Sequence, residues 1–401
     1  MANTLLTIDM ITRKALQVLE NNLVITRNVN RQYDDSFANT GAKIGSTLRI
    51  RLPDRALVTD GAALGVADDN EQFTTLTVDT QKHIAVNFTT AEMAMSLDDF
   101  SDRVLQPRMS QLAASIDADV ASSFNQIFNT VGTPGTAPAT SLVLLQAQQK
   151  LNEFAAPMGS RYATVNPAAN AGLVEGMKGF FNPTDTIAKQ FKSGMMGTGV
   201  LGYDEINMSQ SIRQFTTGTR TGAHTVTTTV ATQGQSTINI TGTGTQVINA
   251  GDVFTVAGVN AVNPQTREST GSLQQFVVLA TNTAAGGAYT AVSVSPAMYT
   301  AGNALATIDA FPQSSAVITF VGAASTVIPQ NLIYHKDAIT FATADLLLPQ
   351  GVDMASRAVY NGISMRVVRQ YDINNDRMPC RIDVLYGFRV IRPQLATRLV
   401  G

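Results

Sequence analysis

Hydrophobic and polar positions alternate near the end of the chain, which is the pattern of β-strands. In residues 363–367 and again in 382–386, apolar side chains occupy every second position. Asn361-Gly362, before the first run, is a dipeptide that favours a sharp turn, and the polar residues 374–376 separate the two runs. The pattern predicts two strands joined by a polar turn, with no side chains arranged for chemistry.

Three segments show the three- and four-residue spacing of amphipathic helices. Residues 7–30 predict a helix near the N-terminus, and Ser141 to about Phe154 predicts a second helix within the chain. The longest predicted helix covers about 97–130. Ser96 can cap its start, and Pro107 marks a break or restart within it. A terminal helix of this kind is typically a docking element, within its own subunit or on a neighbour.

The pattern between residues 47 and 88 predicts an extended hairpin. Thr47–Leu52 alternates strictly, and Phe73–Val78 and His83–Phe88 are further strand-like runs. The aperiodic stretch 54–71 lies between the first two strands. An isolated two-stranded hairpin is marginally stable, so this arm needs a surface to lie on, such as an adjacent subunit.

Charged side chains of both signs lie in the first strand of this hairpin and in the stretch that follows it, and they are candidates for contacts between subunits. We expect the basic residues near its base to meet acidic groups of a neighbouring copy. The candidates are Arg49, Arg51, Arg55, Asp68, Asp69 and Glu71.

The composition changes at about residue 215. Residues 216–327 contain 23 Thr and 12 Gly but only five charged residues among 112. Short β-type runs separated by Gly, Asn and Pro turns predict a small all-β domain inserted into the host chain. The same composition suits a decoration or receptor-binding module, but the long helices predicted at 97–130 and 141–154, in the chain before it, favour an insertion.

The charges are few and unevenly distributed. Charged residues make up 14% of the 401 residues and hydrophobic ones 44%, which is typical of an ordered chain. Residues 1–55 and 328–401 each carry about three net positive charges, whereas 56–327 carries a net charge of about −8. Without a clustered basic arm, sequence-specific DNA binding is not expected.

Targeting and redox features point to a soluble protein made in a cytosol. A single cysteine, Cys380, excludes an intrachain disulfide framework, and its place in a strand predicts a buried thiol. The chain has no apolar run near the roughly 20 residues that span a bilayer, and no secretory signal is visible. We therefore expect no membrane association.

The sequence predicts no cofactor, metal or catalytic site. Gly197–Gly202 matches the spacing GxGxxG, but the following Tyr203–Met208 is strand-like, whereas a dinucleotide site must open a helix. His83, His224 and His335 are isolated in different segments, so they do not form a metal-ligand pattern. A flexible glycine connection and solvated polar turns explain these features.

Several segments, taken in order, resemble the coat proteins of short-tailed double-stranded DNA bacteriophages, a branch of the HK97-type capsid fold. The resemblance covers about 1–215 and 328–401, whereas the insertion is placed by position alone. The segments that carry it are 15–24, 30–35, 47–53, 96–107, 202–209, 345–349 and 371–387.

The resemblance implies an α+β chain with the HK97-type capsid fold and an inserted all-β domain. The implied parts are an N-terminal arm (1–45), an extended β-hairpin loop (46–88), a spine helix and peripheral domain (89–160), the first part of an axial domain (161–215), the inserted domain (216–327) and the C-terminal axial and peripheral part (328–401).

The resemblance further implies a non-enzymatic major capsid protein of the virion. Pentamers and hexamers would form an icosahedral shell around double-stranded DNA, with a scaffolding protein and a portal protein as partners. Some relatives join a loop lysine to a neighbour's asparagine, but neither partner can be placed here.

Two other functions stay open on the sequence. The first is a β-rich tail or surface-attachment protein, and the second is a nucleotide-dependent enzyme that uses Gly197–Gly202. We also predict that the inserted domain stabilises the subunit and modulates the shell.

Overall fold

The computed structural model describes residues 8–31, 46–55, 61, 72–88, 105–176, 197–373 and 378–400. Within these ranges the chain is a mixed α and β protein in which strands dominate. The helices are α1 (Ile8–Asn22), α2 (Ile25–Asn28), α3 (Gln106–Ala121), α4 (Ser141–Glu153) and α5 (Pro167–Gly176). Short 3₁₀ turns occupy Ser122–Gln126, Lys336–Ala338 and Pro393–Leu395.

The strands are numbered along the chain. The first eleven are β1 (Ser46–Arg51), β2 (Phe73–Val78), β3 (Thr80–Phe88), β4 (Thr130–Val131), β5 (Arg161–Val165), β6 (Gly197–Val200), β7 (Tyr203–Met208), β8 (Gln214–Thr216), β9 (His224–Thr225), β10 (Gln235–Thr241) and β11 (Val247–Ile248). The others are β12 (Val253–Val262), β13 (Ser269–Val278), β14 (Asn282–Thr283), β15 (Ala288–Met298), β16 (Val317–Phe320), β17 (Val327–His335), β18 (Ile339–Thr343), β19 (Met354–Tyr360), β20 (Ile363–Arg369), β21 (Met378–Val390) and β22 (Ala396–Val400).

The chain divides into two compact units. The first comprises Met1–Arg51, Phe73–Val120 and Ile339–Arg389, and the second comprises Leu52–Gln72, Ala121–Ala338 and Val390–Gly401. Each unit is therefore assembled from segments that are distant in sequence. The six domain ranges expected from the sequence stay predictions.

The first unit is built on a five-stranded sheet in the order β18-β21-β20-β19, with β3 also paired to β21. The spine helix α3 buries Met109, Leu112, Ile116 and Val120, because these residues recur every three or four positions on one side. Strands β19 and β20 join at Asn361-Gly362, where both residues have positive φ and Tyr360 lies opposite Ile363. This confirms the predicted sharp turn.

The second unit contains a seven-stranded mixed sheet and a β-barrel. The sheet runs β4-β22-β17-β5-β7-β6, with β8 also paired to β17. The barrel strands run β10-β15-β13-β12-β16-β9, and a bridge between Val226 and Ile240 brings the two ends of this order together. Aromatic and branched side chains such as Phe254, Phe276 and Ile318 fill its core.

Two predicted helices differ from the structure in length. The expected single helix over 7–30 is interrupted at Leu23 and Val24, because the buried carboxylate of Asp117 accepts the backbone N–H of Val24 at 2.6 Å and of Thr26 at 3.0 Å. The spine helix ends at Ala121 instead of continuing to about residue 130, since Thr130 pairs with β22. Its predicted start at Ser96 lies outside the described residues.

Candidate functional site

The base of the predicted extended hairpin forms a regular two-stranded sheet. β1 and β2 are antiparallel, with Ser46 opposite Val78 and Arg51 opposite Phe73. Successive side chains of a strand point to opposite faces, so Ile50 and Leu76 are buried while Arg49 and Arg51 are exposed. The alternation in the sequence therefore assigned the two faces correctly.

The exposed face combines cations with an aromatic ring. The guanidinium carbon of Arg49 lies 3.5 Å from the ring centroid of Phe73, and 51% of Phe73 is exposed. Arg389, from the end of β21, donates from Nη1 to the carbonyl oxygen of Thr75 at 2.8 Å. We call Arg49, Arg51, Phe73, Thr75 and Arg389 the basic hairpin face. Neither β1 nor β2 contains an acidic residue, so the strands contribute charge of one sign.

A close backbone approach positions this face. A Cβ atom at Gly387 would overlap the carbonyl oxygen of Thr77, so only glycine lets β21 pass so near to β2. The approach brings Arg389, two residues further on, to Thr75. Sequence reasoning missed both Phe73 and Arg389 as members of the site; the available signal was an aromatic residue at the start of a strand that otherwise alternates.

An ion-pair network joins the following strand to the spine helix. Lys82 Nζ of β3 lies 2.6 Å from Asp119 Oδ2 and donates to the Ser115 hydroxyl at 2.6 Å. The Tyr386 hydroxyl donates to the same Asp119 oxygen at 2.6 Å. These charge-assisted bonds hold β3 and β21 on α3, and so they support the sheet beside the hairpin.

Arg55 belongs to the second unit and has a different environment. It lines a cavity of about 460 Å³ together with Asp54, Tyr299 and Arg392. Burial lowers the pKa of Arg55, and the positive charge of Arg392 lowers it further. The predicted acidic partners Asp68, Asp69 and Glu71 lie outside the described residues.

The GxGxxG segment is a β-hairpin. β6 and β7 are antiparallel, and the turn between them places Leu201 and Gly202 at positive φ. No helix follows to receive a pyrophosphate, which agrees with the expectation that Tyr203–Met208 is a strand.

Metal-ligand clusters and membrane-spanning helices are absent from the part of the chain that the structure describes. Within it, no cluster of three or more His, Cys, Asp or Glu could hold a metal ion. None of the described helices is long and apolar enough to cross a membrane. Cys380 is buried, as predicted, and burial raises its pKa to about 12.

The described residues of the hairpin base thus present an exposed face that carries arginines and an aromatic ring. The chain belongs to the family "P22 coat protein - gene protein 5", whose model matches residues 1–401.

The chain is also similar to individual proteins. The chain is 23% identical over 416 residues to the "Major capsid protein" of Acyrthosiphon pisum secondary endosymbiont phage 1, covering 98% of this chain and 97% of that protein. A structure from Mycobacterium phage Che8 covers 94% of this chain and 90% of its own, with 12% identity and a TM-score of 0.47. The CUS-3 coat protein I-domain is 30% identical, covering 26% of this chain and 98% of its own, with a TM-score of 0.20.

The family match over the whole chain decides the function class. The protein is a structural major capsid protein of a phage with a mixed α and β fold; it assembles with itself into the shell and forms part of the virion capsid. The family consists of structural proteins, not enzymes, so the nucleotide-dependent reading of Gly197–Gly202 is wrong. The assignment also favours the coat-protein reading over the tail or surface-attachment alternative.

Proposed function

We propose that subunits join through the basic hairpin face, which meets acidic groups of an adjacent copy. The observation that carries the proposal is the single sign of charge on an exposed face: Arg49, Arg51 and Arg389 lie around Phe73 and Thr75, and neither β1 nor β2 contains an acidic residue. On sequence grounds, Asp68, Asp69 and Glu71 of the neighbour are the candidate partners.

The stacking of Arg49 on Phe73 supports this role. A guanidinium that already rests on a ring loses less side-chain freedom when it binds a carboxylate, and its flat edge stays available for hydrogen bonds. An exposed aromatic ring beside it adds apolar area, which is typical of protein contact surfaces.

In the proposed assembly, pentamers and hexamers close into an icosahedral shell around double-stranded DNA. A symmetric shell repeats each modest contact many times, so weak contacts suffice for a stable particle. A scaffolding protein and a portal are the proposed partners, and synthesis takes place in the host cytoplasm. The low net charge of −2 suits a chain that encloses DNA without reading its sequence.

Charge reversal at the face tests the proposal. Arg49→Glu and Arg51→Glu should each reduce the yield of closed particles in electron micrographs, because an attractive contact becomes repulsive in every copy. Arg51→Glu combined with Asp68→Lys and Asp69→Lys should restore part of that yield. The same charge change at Lys336, which is exposed in a 3₁₀ turn of the second unit, serves as the matched control.

Because the contact is exposed, salt should also weaken it. Wild-type particle yield should decrease as the ionic strength of the assembly buffer increases, and the two glutamate variants should respond less. Normal particle yield and size for Arg51→Glu would contradict the proposal.

A further inference from the structure

The C-terminal strand β22 carries a buried cation that contacts the barrel. Arg398 is 2% exposed; its Nη1 donates to the carbonyl oxygen of Gly251 at 2.9 Å, and its Nε donates to the Thr130 hydroxyl at 3.3 Å. Burial lowers the pKa of Arg398 to about 9, and the charge of Asp252 opposes that effect. Burying a cation is costly unless hydrogen bonds satisfy its donors, and the carbonyl of Gly251 and the hydroxyl of Thr130 accept two of them.

The barrel loop that Arg398 contacts is itself tightly organised. Asp252 accepts the backbone N–H of Asn249 at 2.8 Å and that of Gly218 at 3.1 Å, and it lies 3.0 Å from Nη1 of the buried Arg220. Gly251 has a φ of +101°, and a Cβ atom there would lie 3.1 Å from the ring of Phe215. The loop therefore presents the Gly251 carbonyl to Arg398 in one orientation.

A side-chain amide makes a second attachment beside the first. Gln275 of β13 accepts the Thr130 N–H at 2.7 Å and donates to the Thr130 carbonyl at 2.9 Å. The Gln275 amide thereby makes with Thr130 the two hydrogen bonds that the backbone of a residue in a neighbouring antiparallel strand would make. Thr130 lies opposite Arg398 in the parallel pairing of β4 with β22, so both attachments converge on the same edge of the seven-stranded sheet.

A third attachment comes from the end of helix α4. Lys150 Nζ lies 2.9 Å from Glu153 Oε2 and donates to the hydroxyl of Ser272 at 3.0 Å. The Asn263 amide donates to the Glu153 carbonyl at 2.8 Å. Ser272 of β13 and Asn263, which follows β12, thus attach the barrel to the end of helix α4, in addition to the two chain connections of the barrel.

We infer that Arg398, Thr130 and Gln275 form a docking cluster that sets the orientation of the inserted barrel on the seven-stranded sheet, with Arg398 as the positioning residue. In an assembled shell, each copy then holds its barrel at one fixed angle. The alternative is a barrel that moves on its two chain connections.

The test uses the full-length protein in assembled particles. Arg398→Met keeps the length and the apolar contacts of the side chain but removes the guanidinium donors. Gln275→Leu removes the two hydrogen bonds to Thr130 without changing a charge. Gln313→Leu is the control, because Gln313 is exposed on the barrel and bonds only within it, to the Phe311 carbonyl.

Hydrogen exchange and cryo-electron microscopy give the readouts. In both test variants, amides of 129–131 and 249–252 should exchange about fivefold faster or more, while those of Leu332 and Ile333 in β17 keep their wild-type rates. Density for the barrel should weaken relative to the seven-stranded sheet. The Gln275 side chain is only half-buried, so we expect Gln275→Leu to fold. This variant therefore still tests the inference if Arg398→Met does not fold.

Two results would overturn the inference. One is wild-type exchange and barrel density in Gln275→Leu and in any folded Arg398→Met particle. The other is faster exchange throughout the barrel core, which would assign the cluster to barrel stability instead of barrel orientation.

Discussion

At the scale of single residues, the buried carboxylate of Asp383 is matched by two arginines and by an amide from a distant strand. Asp383, which is fully buried, lies 2.7 Å from Arg366 Nη2 and 2.6 Å from Arg381 Nε, and it accepts from the Gln81 amide at 3.2 Å. Without these donors, the buried carboxylate would be costly. The sequence shows arginines near Asp383, but not that Gln81 of β3 joins them.

His335, at the end of β17, makes the subunit sensitive to acid. Its Nδ1 accepts the N–H of Asp337 at 3.2 Å, which requires the neutral ring. Burial lowers its pKa from the ordinary 6.5, Asp337 and Asp204 oppose this, and Arg161 and Arg392 add to it. As the pH falls through 6.5, the unfolded chain takes up a proton that the folded chain resists, so the free energy of unfolding decreases.

His335→Gln keeps an acceptor and removes the titration. In denaturant melts of the unassembled subunit, the loss of unfolding free energy from pH 7 to pH 5 should be smaller for this variant than for the wild type. His83→Gln, at an exposed position of β3, is the control and should follow the wild type. Identical pH dependence in wild type and His335→Gln would refute this assignment.

At the scale of elements, one carboxylate decides where the N-terminal helix is interrupted. Asp117 of α3 accepts from the backbone of Val24 and Thr26 and from the Thr26 hydroxyl, the latter at 2.6 Å. Burial raises its pKa, and these hydrogen bonds oppose the rise. Asp117 therefore acts as a cap for α2 supplied by another helix.

Asp117→Ala should lower the free energy of unfolding by about 1–3 kcal/mol, because it leaves buried backbone donors without an acceptor. Urea melts followed by circular dichroism measure this. Asp117→Asn, which keeps one acceptor, should lose less, and Asp79→Ala removes an exposed carboxylate of the same unit as a control. Equal stability of Asp117→Ala and wild type would show that the interruption has another cause.

Periodicity predicted most elements well, and contacts from elsewhere explain the exceptions. The run 73–78 coincides with β2, and 141–154 matches α4 to within one residue. The apolar stripe of the spine helix continued past Ala121, but Phe124 and Phe128 stay buried outside the α-helix. Burial pattern alone cannot distinguish a helix from a tightened turn that leads into a strand.

At the scale of the whole molecule, the barrel is an insertion with adjacent ends. Thr216 of β8 lies directly opposite Val327 of β17, and the Thr217 N–H donates to the Thr326 carbonyl at 3.0 Å. A short turn could therefore replace the intervening chain without stretching the host sheet.

Replacing 217–326 by an Asn-Gly turn should lower soluble yield or give misshapen shells. The physical reason is that Phe128 and Phe154, which pack against Val253, Ala261 and Val277 of the barrel, would lose this cover and expose apolar surface to water. Normal yield and normal particles for the deletion, judged by negative-stain microscopy, would contradict the stabilising role of the barrel.

Periodicity, turn residues and composition predicted the local elements, the inserted β-module and the exposed faces of β1 and β2, because these signals act over short distances. Which distant residues meet depends on how the chain folds. Arg389 joins the basic hairpin face because Gly387 permits a close crossing, and Arg398 reaches Gly251 because β22 pairs with β4 and β17. Pairings of this kind depend on chain topology, since the partners lie more than sixty residues apart and share no periodic pattern.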